Sequence, residues 1–387
     1  MAPGSGSSGP GDGHFAIRDL TDPAAEAVID RHRRYWRNKE LPDPNETGDR
    51  PLYAFREAHP MGGTGDSIRL EPPAPVDAAA YADGLAQRYD RDGLLDDDLI
   101  RMVSTGIPSE VIVGCAMVQR AGTNWAENCL TSWDQLDGYR VADTLWCQRL
   151  VDNTRRIVDA AEASAPGAYP FCCMAFRGAV DMAEAMMGGV ALCQAVVDEP
   201  RKLKNLLARI TDITIEVARA HGDLVPRHSG GQFNSYGIWT PGRTVTFTLD
   251  GGCLFSPACY EEFFLPCDRR LCEAFDTPFV HLHAASRQHF AAWAAIPNLG
   301  LQCVIDQAWL PEGVNQPIGP QFDDLLPDFR AVRQSKSFML YGYWDTDLLD
   351  RAAAELTPGG SAIVALVDDP EAMRRVYRDP PIAEAGR

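Results

Sequence analysis

The chain has 387 residues and a formal charge of −18, with 45% hydrophobic and 23% charged residues. That length allows two ordinary domains or one α/β barrel, and that composition fills a large core. The acidic balance opposes nucleic acid and anionic membrane surfaces, since both are recognised through clustered Lys and Arg.

In chain order, residues 1–20 contain "GSGSSG", which matches a dinucleotide fingerprint in letters only. No strand precedes it and no helix follows it, so a disordered tail is the expectation. The start lacks a basic, apolar leader, and no apolar run approaches a membrane span, so a soluble cytoplasmic protein is expected. The 11 cysteines lie between Cys115 and Cys303 without a C-x-x-C pair, which reads as reduced thiols. Asp22 and Pro23 start a helix running to Arg37. A Pro/Gly/Asp-rich loop follows from Leu41 to about Pro75, interrupted by "PLYAF". Its "GGTGDS" at 62–67 lacks the lysine of a phosphate loop and reads as a lid or plain loop. Residues 21–106 thus form an N-terminal extension of helix and loop.

From 107 to 380 the text alternates. "SEVIVGCAMV", "YPFCCMAF", "RTVTFTLD", "PFVHLHAAS", "LGLQCVIDQ", "SFMLYGYW" and "SAIVALV" are short, apolar and strand-like. Between them lie helical stretches, among them "YRVADTLWCQRLVDNTRRIVDAAEAS" and "DEPRKLKNLLARITDITIEVARAHG", where Pro200 opens the first turn and Gly222 ends the helix. Later, Ser256 caps "SPACYEEFFLPCDRRLCEAF". Alternation of this kind implies parallel βαβ units, and a single (β/α)8 TIM-type barrel fits best.

In such a barrel the working residues sit at strand C-termini. That rule selects Arg177, Asp250, His281, His283, Asp306, Tyr341 and Tyr343, with Asp181 one turn further on. The turn-rich "RHSGGQFNSYGIWTPG" adds His228, Asn234 and Trp239. His281 and His283, two apart on one strand, face the same side, and two imidazoles can occupy two corners of a zinc site. Cys303, Asp306, Asp250 or Glu261 could supply the third ligand. Equally, the pair could hydrogen-bond a substrate or only cap the strand. Arg177 could anchor a substrate carboxylate or pair with Asp181. Asp250 could be a base or a turn cap, and Asp306 a base or ligand. His228 reads as a loop or substrate contact, and His289 as a surface helix residue. Cys172, Cys173, Cys267 and Cys272 read as core thiols.

"FRGAVDMAEAMMGGVALCQAVVDEPRKLKNLLARIT" (176–211), "FSPACYEEFFLPCDRRLCEAF" and "FVHLHAAS" together resemble the uroporphyrinogen decarboxylase superfamily. The resemblance spans about 107–369 and implies a (β/α)8 barrel that performs either decarboxylation or methyl transfer from corrinoid proteins. The decarboxylase branch carries an arginine-rich N-terminal motif; here "YAFREAHPMGG" offers Arg56 alone, so uroporphyrinogen is not the expected substrate. The methyltransferase branch carries H-x-C and a late cysteine around zinc. His281 matches the histidine, His283 replaces the cysteine, and Ser361 lies where the late cysteine is missing. The implied arrangement is a zinc or other divalent metal held by His281 and His283, with Cys303 or a carboxylate, Asp250 or Asp306. Arg177, Asn234, Trp239 and Tyr343 would bind a small substrate, with Asp250, Asp306, His228 and Tyr341 catalytic. A corrinoid protein is a candidate partner and a homodimer a candidate assembly. A cofactor-free lyase acting on a small acid and a non-catalytic ligand-binding barrel are the alternatives.

Overall fold

The computed structural model describes residues 17–37, 51–57, 67–120, 123–136, 144–305, 319–356 and 360–377. The "GSGSSG" tail and most of the 62–67 loop lie outside these residues.

Period-two stretches of β-branched residues make the strands, and burial on both faces makes them parallel. β1 (Leu52–Glu57) starts the set, followed by the two-residue β2 (Ile68–Arg69), β3 (Leu95–Asp96) and β4 (Leu99–Ile100). β5 (Ala116–Arg120) and β6 (Thr123–Glu127) form an antiparallel hairpin with β2 at its side. β7 (Ala175–Arg177) precedes a second hairpin of β8 (Gly231–Phe233) and β9 (Trp239–Pro241). Then come β10 (Thr244–Thr248), β11 (Thr277–His283), β12 (Gly300–Val304), β13 (Phe338–Tyr343) and β14 (Ser361–Val367). Seven of them build one all-parallel sheet in the order β1-β14-β13-β12-β11-β10-β7. The first strand pairs with the last, Leu52 beside Ala362 through Glu57 beside Val367. The sequence predicts eight strands in a closed ring, and among the described residues no ladder joins β1 to β7. Instead the segment 97–103 runs between them: Asp98 N–H bonds the Tyr53 carbonyl, and Val103 N–H bonds the Pro170 carbonyl.

Two predicted features differ. "SEVIVGCAMV" is no sheet strand: Ser109–Val113 is a fully buried 3₁₀ turn, broken by Gly114 at φ 84°, and only Ala116–Arg120 extends into strand. A buried turn is as apolar as a buried strand, so the letters do not separate them. The segment 21–106, read as an extension, also supplies β1 and the 97–103 crossing, so the sheet is not confined to 107–380.

The sheet has two cores. Outward residues Phe247, Val280, Leu282, Leu301, Leu340 and Ile363 pack with Leu203, Leu206 and Ile210 of the Pro200–Gly222 helix. Inward residues Leu52, Ala54, Phe279, Met339, Ala362 and Val364 meet Tyr35 from the Ala25–Trp36 helix and Ile238 from the β8–β9 loop. That first helix covers the N-terminal ends of the strands. Trp36 meets Phe279 edge-on at 6.1 Å, and Ser337 Oγ, just before β13, donates to the Tyr35 carbonyl. His32, fully buried, accepts at Nδ1 from Trp239 N–H and donates from Nε2 to the Asp98 carbonyl. Burial holds its pKa down at about 4, so it bridges the two as a neutral ring. Among the described residues no single helix is long and apolar enough to cross a membrane.

Gly300 opens β12 under this helix, where an added Cβ would stand 2.6 Å from the Phe279 ring and 2.7 Å from the Trp36 ring. Both rings are hemmed in, so overpacking should destabilise Gly300→Ala by about 1–3 kcal/mol, read as a lower urea midpoint with an unchanged denaturant slope.

Candidate metal and acid–base site

The inner face of a strand passes to its neighbour at each register pair. Arg177 lies beside Thr248, Thr248 beside His281, His281 beside Gln302, and His283 beside Val304. Arg177 and Thr248 end their strands, so all of these stand at the C-terminal mouth, opposite the Ala25–Trp36 helix. Leu249 N–H bonds the His281 carbonyl, and the chain then turns through Asp250–Leu254.

That turn is fixed by Asp181, on the first turn of the Ala179–Met187 helix and 3% exposed. Its carboxylate accepts from Thr248 Oγ1 at 2.6 Å, Asp250 N at 3.0 Å and Gly251 N at 2.7 Å. Burial first, then the nearby Asp250 charge, push its pKa up to about 7 against those three donors. The result places the Asp250 side chain at the imidazoles: Oδ1 stands 3.5 Å from His281 Nε2 and 3.5 Å from His283 Nε2. One donor atom from each of the three residues lies within 4.8 Å of the others. Tetrahedral zinc with bonds near 2.0–2.2 Å sets its donors roughly 3.3–3.6 Å apart, so the Asp250 to imidazole separations suit a shared cation.

The protonation pattern points the same way. Gln302 Oε1 bonds His281 Nδ1, and the Tyr236 hydroxyl lies 2.8 Å from the same nitrogen. An amide oxygen only accepts, so Nδ1 carries a proton, and in the neutral ring Nε2 is the nitrogen with the lone pair. Nε2 stands 3.5 Å from Asp250 Oδ1, a buried oxygen without a hydrogen-bond partner among the described residues. Two acceptors turned toward each other in a partly dehydrated pocket need a cation or a proton between them. The residues present therefore fit a divalent metal.

Arg177 is committed elsewhere. Its Nε donates to Glu110 at 2.6 Å, and one terminal nitrogen lies 3.5 Å from Asp250 and 3.8 Å from Asp181. Three carboxylates surround one guanidinium, and of its two expected roles the pairing with Asp181 is present, joined by Glu110 and Asp250.

Other expected site residues are distributed differently. Cys303 pairs in register with Leu282, on the outer face, and is buried among the helices, so it cannot join the imidazoles as a ligand. Asp306 lies outside the described residues. Glu261 is exposed on the Pro257–Phe263 helix. Tyr341 is level with Val304 on the inner face of β13 and Tyr343 is one step above it, so both line the mouth; burial raises the Tyr341 pKa. Trp239 and His228 belong to the opposite end: the Trp239 indole N–H bonds the His228 carbonyl, and Trp36 Nε1 bonds the Trp239 carbonyl. Asn234 is buried and accepts from Tyr236 N–H and Ile238 N–H, so it shapes the loop that delivers Tyr236. His289, read as a surface residue, is 1% exposed. Tyr236, Gln302 and Glu110 are residues that the sequence did not single out. Gln302 precedes Cys303 and has the opposite parity, a signal usable only once the register with β11 is known.

A buried carboxyl whose folded pKa lies above its unfolded value near 3.9 keeps its proton longer when folded. Its stability term is complete below about pH 4 and is lost as pH rises toward about 7. Urea unfolding of the metal-free protein should therefore show a stability difference, wild type minus Asp181→Asn, that falls across this window and levels off above it. A flat difference would mean that Asp181 is ionised throughout.

No protein-family model matches the chain, and no curated protein matches it. Among solved structures it is similar to a methyltransferase from Methanosarcina mazei, at 11% identity and a TM-score of 0.48, covering 70% of this chain and 76% of that one.

Proposed function

We propose that the protein is a metal-dependent enzyme of the uroporphyrinogen decarboxylase superfamily, with a (β/α)8-type barrel, in which Asp250, His281 and His283 hold a divalent metal, zinc foremost. The observation that carries this reading is the unpartnered Asp250 Oδ1, 3.5 Å from both imidazole Nε2 atoms. Methyl transfer to or from a small substrate is the reaction class favoured by the sequence resemblance, with a corrinoid protein as a methyl source. The metal, when bound, supplies Lewis acidity that lowers the pKa of a coordinated thiol, hydroxyl or water. Around it the chain does the remaining work. Gln302 and Tyr236 hold the His281 ring with Nε2 inward. Asp181 keeps the Asp250 backbone in place, while the Arg177 guanidinium balances the surrounding carboxylates. Tyr341 and Tyr343 line the mouth beside the triad and provide phenolic donors to a substrate held there.

The cofactor-free lyase reading needs Arg177 free for a substrate carboxylate, and the Glu110, Asp181 and Asp250 contacts oppose that. With net negative charge around the imidazoles, a carboxylate substrate is admitted only after a cation has bound.

Purified protein is expected to bind one equivalent of zinc or Co(II) per chain by metal analysis and titration. His281→Ala, His283→Ala and Asp250→Ala should each weaken binding by two orders of magnitude or more, since each removes one of three ligands. Wild-type protein that binds no divalent metal, or binds it equally well without these side chains, overturns the proposal.

A further inference from the structure

We infer that His289 is a positioning residue for the carboxylate ligand: it clamps the Asp250–Leu254 turn from beneath and so sets where Asp250 stands relative to the two imidazoles. The inference rests on the metal reading above.

The sequence after His283 is "AASRQH", with small residues followed by a histidine, and it coils into a 3₁₀ turn over Ala284–His289 that brings the chain under the Asp250–Leu254 turn. His289 Nε2 donates to the Gly252 carbonyl at 2.9 Å. Its ring stacks on Tyr260 with centroids 4.2 Å apart and meets Trp293 at 5.6 Å. Tyr260 is itself fixed, its hydroxyl donating to the buried Asp268 carboxyl. The imidazole is therefore wedged between a rigid aromatic wall and one backbone oxygen. Burial lowers its pKa, which keeps it a neutral ring with its proton on the nitrogen that meets Gly252.

The Asp250 side chain has little of its own to hold it: Oδ2 lies 3.5 Å from Arg177, and Oδ1 has no hydrogen-bond partner. Its placement is set by the backbone, which is pinned at three points. Leu249 N–H bonds the His281 carbonyl, Asp250 and Gly251 N–H bond Asp181, and the Gly252 carbonyl accepts from His289. Beyond Asp250 on the carbonyl side, the Gly251 N–H holds the turn to Asp181, and the Gly252 carbonyl, which also accepts from Phe255 N–H, ties it through His289 to the segment that carries the two imidazoles. Residues 281–289 therefore carry two ligands and the clamp of the third, so a shift of this segment moves all three together.

Co(II) titration followed by visible absorption tests this, because the d–d bands report ligand number and type. His289→Phe keeps the stacked ring and removes the donor. It is expected to bind Co(II) about 10- to 100-fold more weakly, as losses of groups that orient a ligand do, with bands shifted to those of Asp250→Ala. His289→Gln, whose amide reaches the same carbonyl, should restore the wild-type bands and most of the affinity. His289→Asn, one bond shorter, should behave like His289→Phe, and it carries the test if the phenylalanine variant does not fold by circular dichroism. Wild-type protein that binds no Co(II) would sink the metal reading and this inference with it. Normal wild-type binding with His289→Phe or His289→Asn unchanged, or weakened with wild-type bands, would overturn the inference alone.

Discussion

The site depends on a carboxylate taken out of water. Asp181 sits under the mouth of the sheet, where an unpaired charge would be prohibitively costly, and it is kept there by a hydroxyl and two backbone N–H groups from a single turn. Because those donors belong to residues 248–251, satisfying Asp181 dictates the path of the chain after β10. The direction in which Asp250 faces follows from that path. Arg177, 3.8 Å from Asp181, then ties the same carboxylates to Glu110 on the buried 109–113 turn. One buried acid thereby couples three loops that are far apart in sequence.

The opposite end of the sheet is organised by neutral groups. The Ala25–Trp36 helix closes the base with Tyr35, Trp36 and His32: the His32 ring meets the Asp98 and Trp239 backbone and the Trp36 indole meets the Trp239 carbonyl, while the Tyr35 hydroxyl is buried without a hydrogen-bond partner among the described residues. An apolar base and a charged mouth divide the inner face. The mouth is partly buried, which lowers the local dielectric and strengthens any interaction with a cation held by Asp250, His281 and His283.

Much of the fold was legible. "RTVTFTLD" reads as a strand, and the structure has β10 there, with Thr244, Thr246 and Thr248 inward while Val245 and Phe247 join the outer core. The same parity placed His281 and His283 on a common face, where they converge on Asp250. Parity failed where register was needed. Cys303 is near the histidines in chain order, yet it pairs with Leu282 and faces outward. His228, Asn234 and Trp239 looked like one polar loop at the mouth. The β8–β9 hairpin instead sends Tyr236 toward His281 and leaves His228 and Trp239 at the base. His289 read as a surface residue because its neighbours Arg287 and Gln288 are polar, although a 3₁₀ turn rotates it inward.

By itself, the sequence determined the periodicities: which residues strand alternation could put on one face, where helices start and stop, and that two imidazoles stand two residues apart on one strand. These are local properties, fixed by steric and hydrogen-bonding preferences within a few residues. Only the tertiary structure decided which strands are neighbours and in what register, and with it the third ligand, the tautomer of His281 and the commitment of Arg177 to three carboxylates. Each of these depends on distances between groups tens of residues apart, set by packing the whole sheet and by the need to satisfy every buried charge.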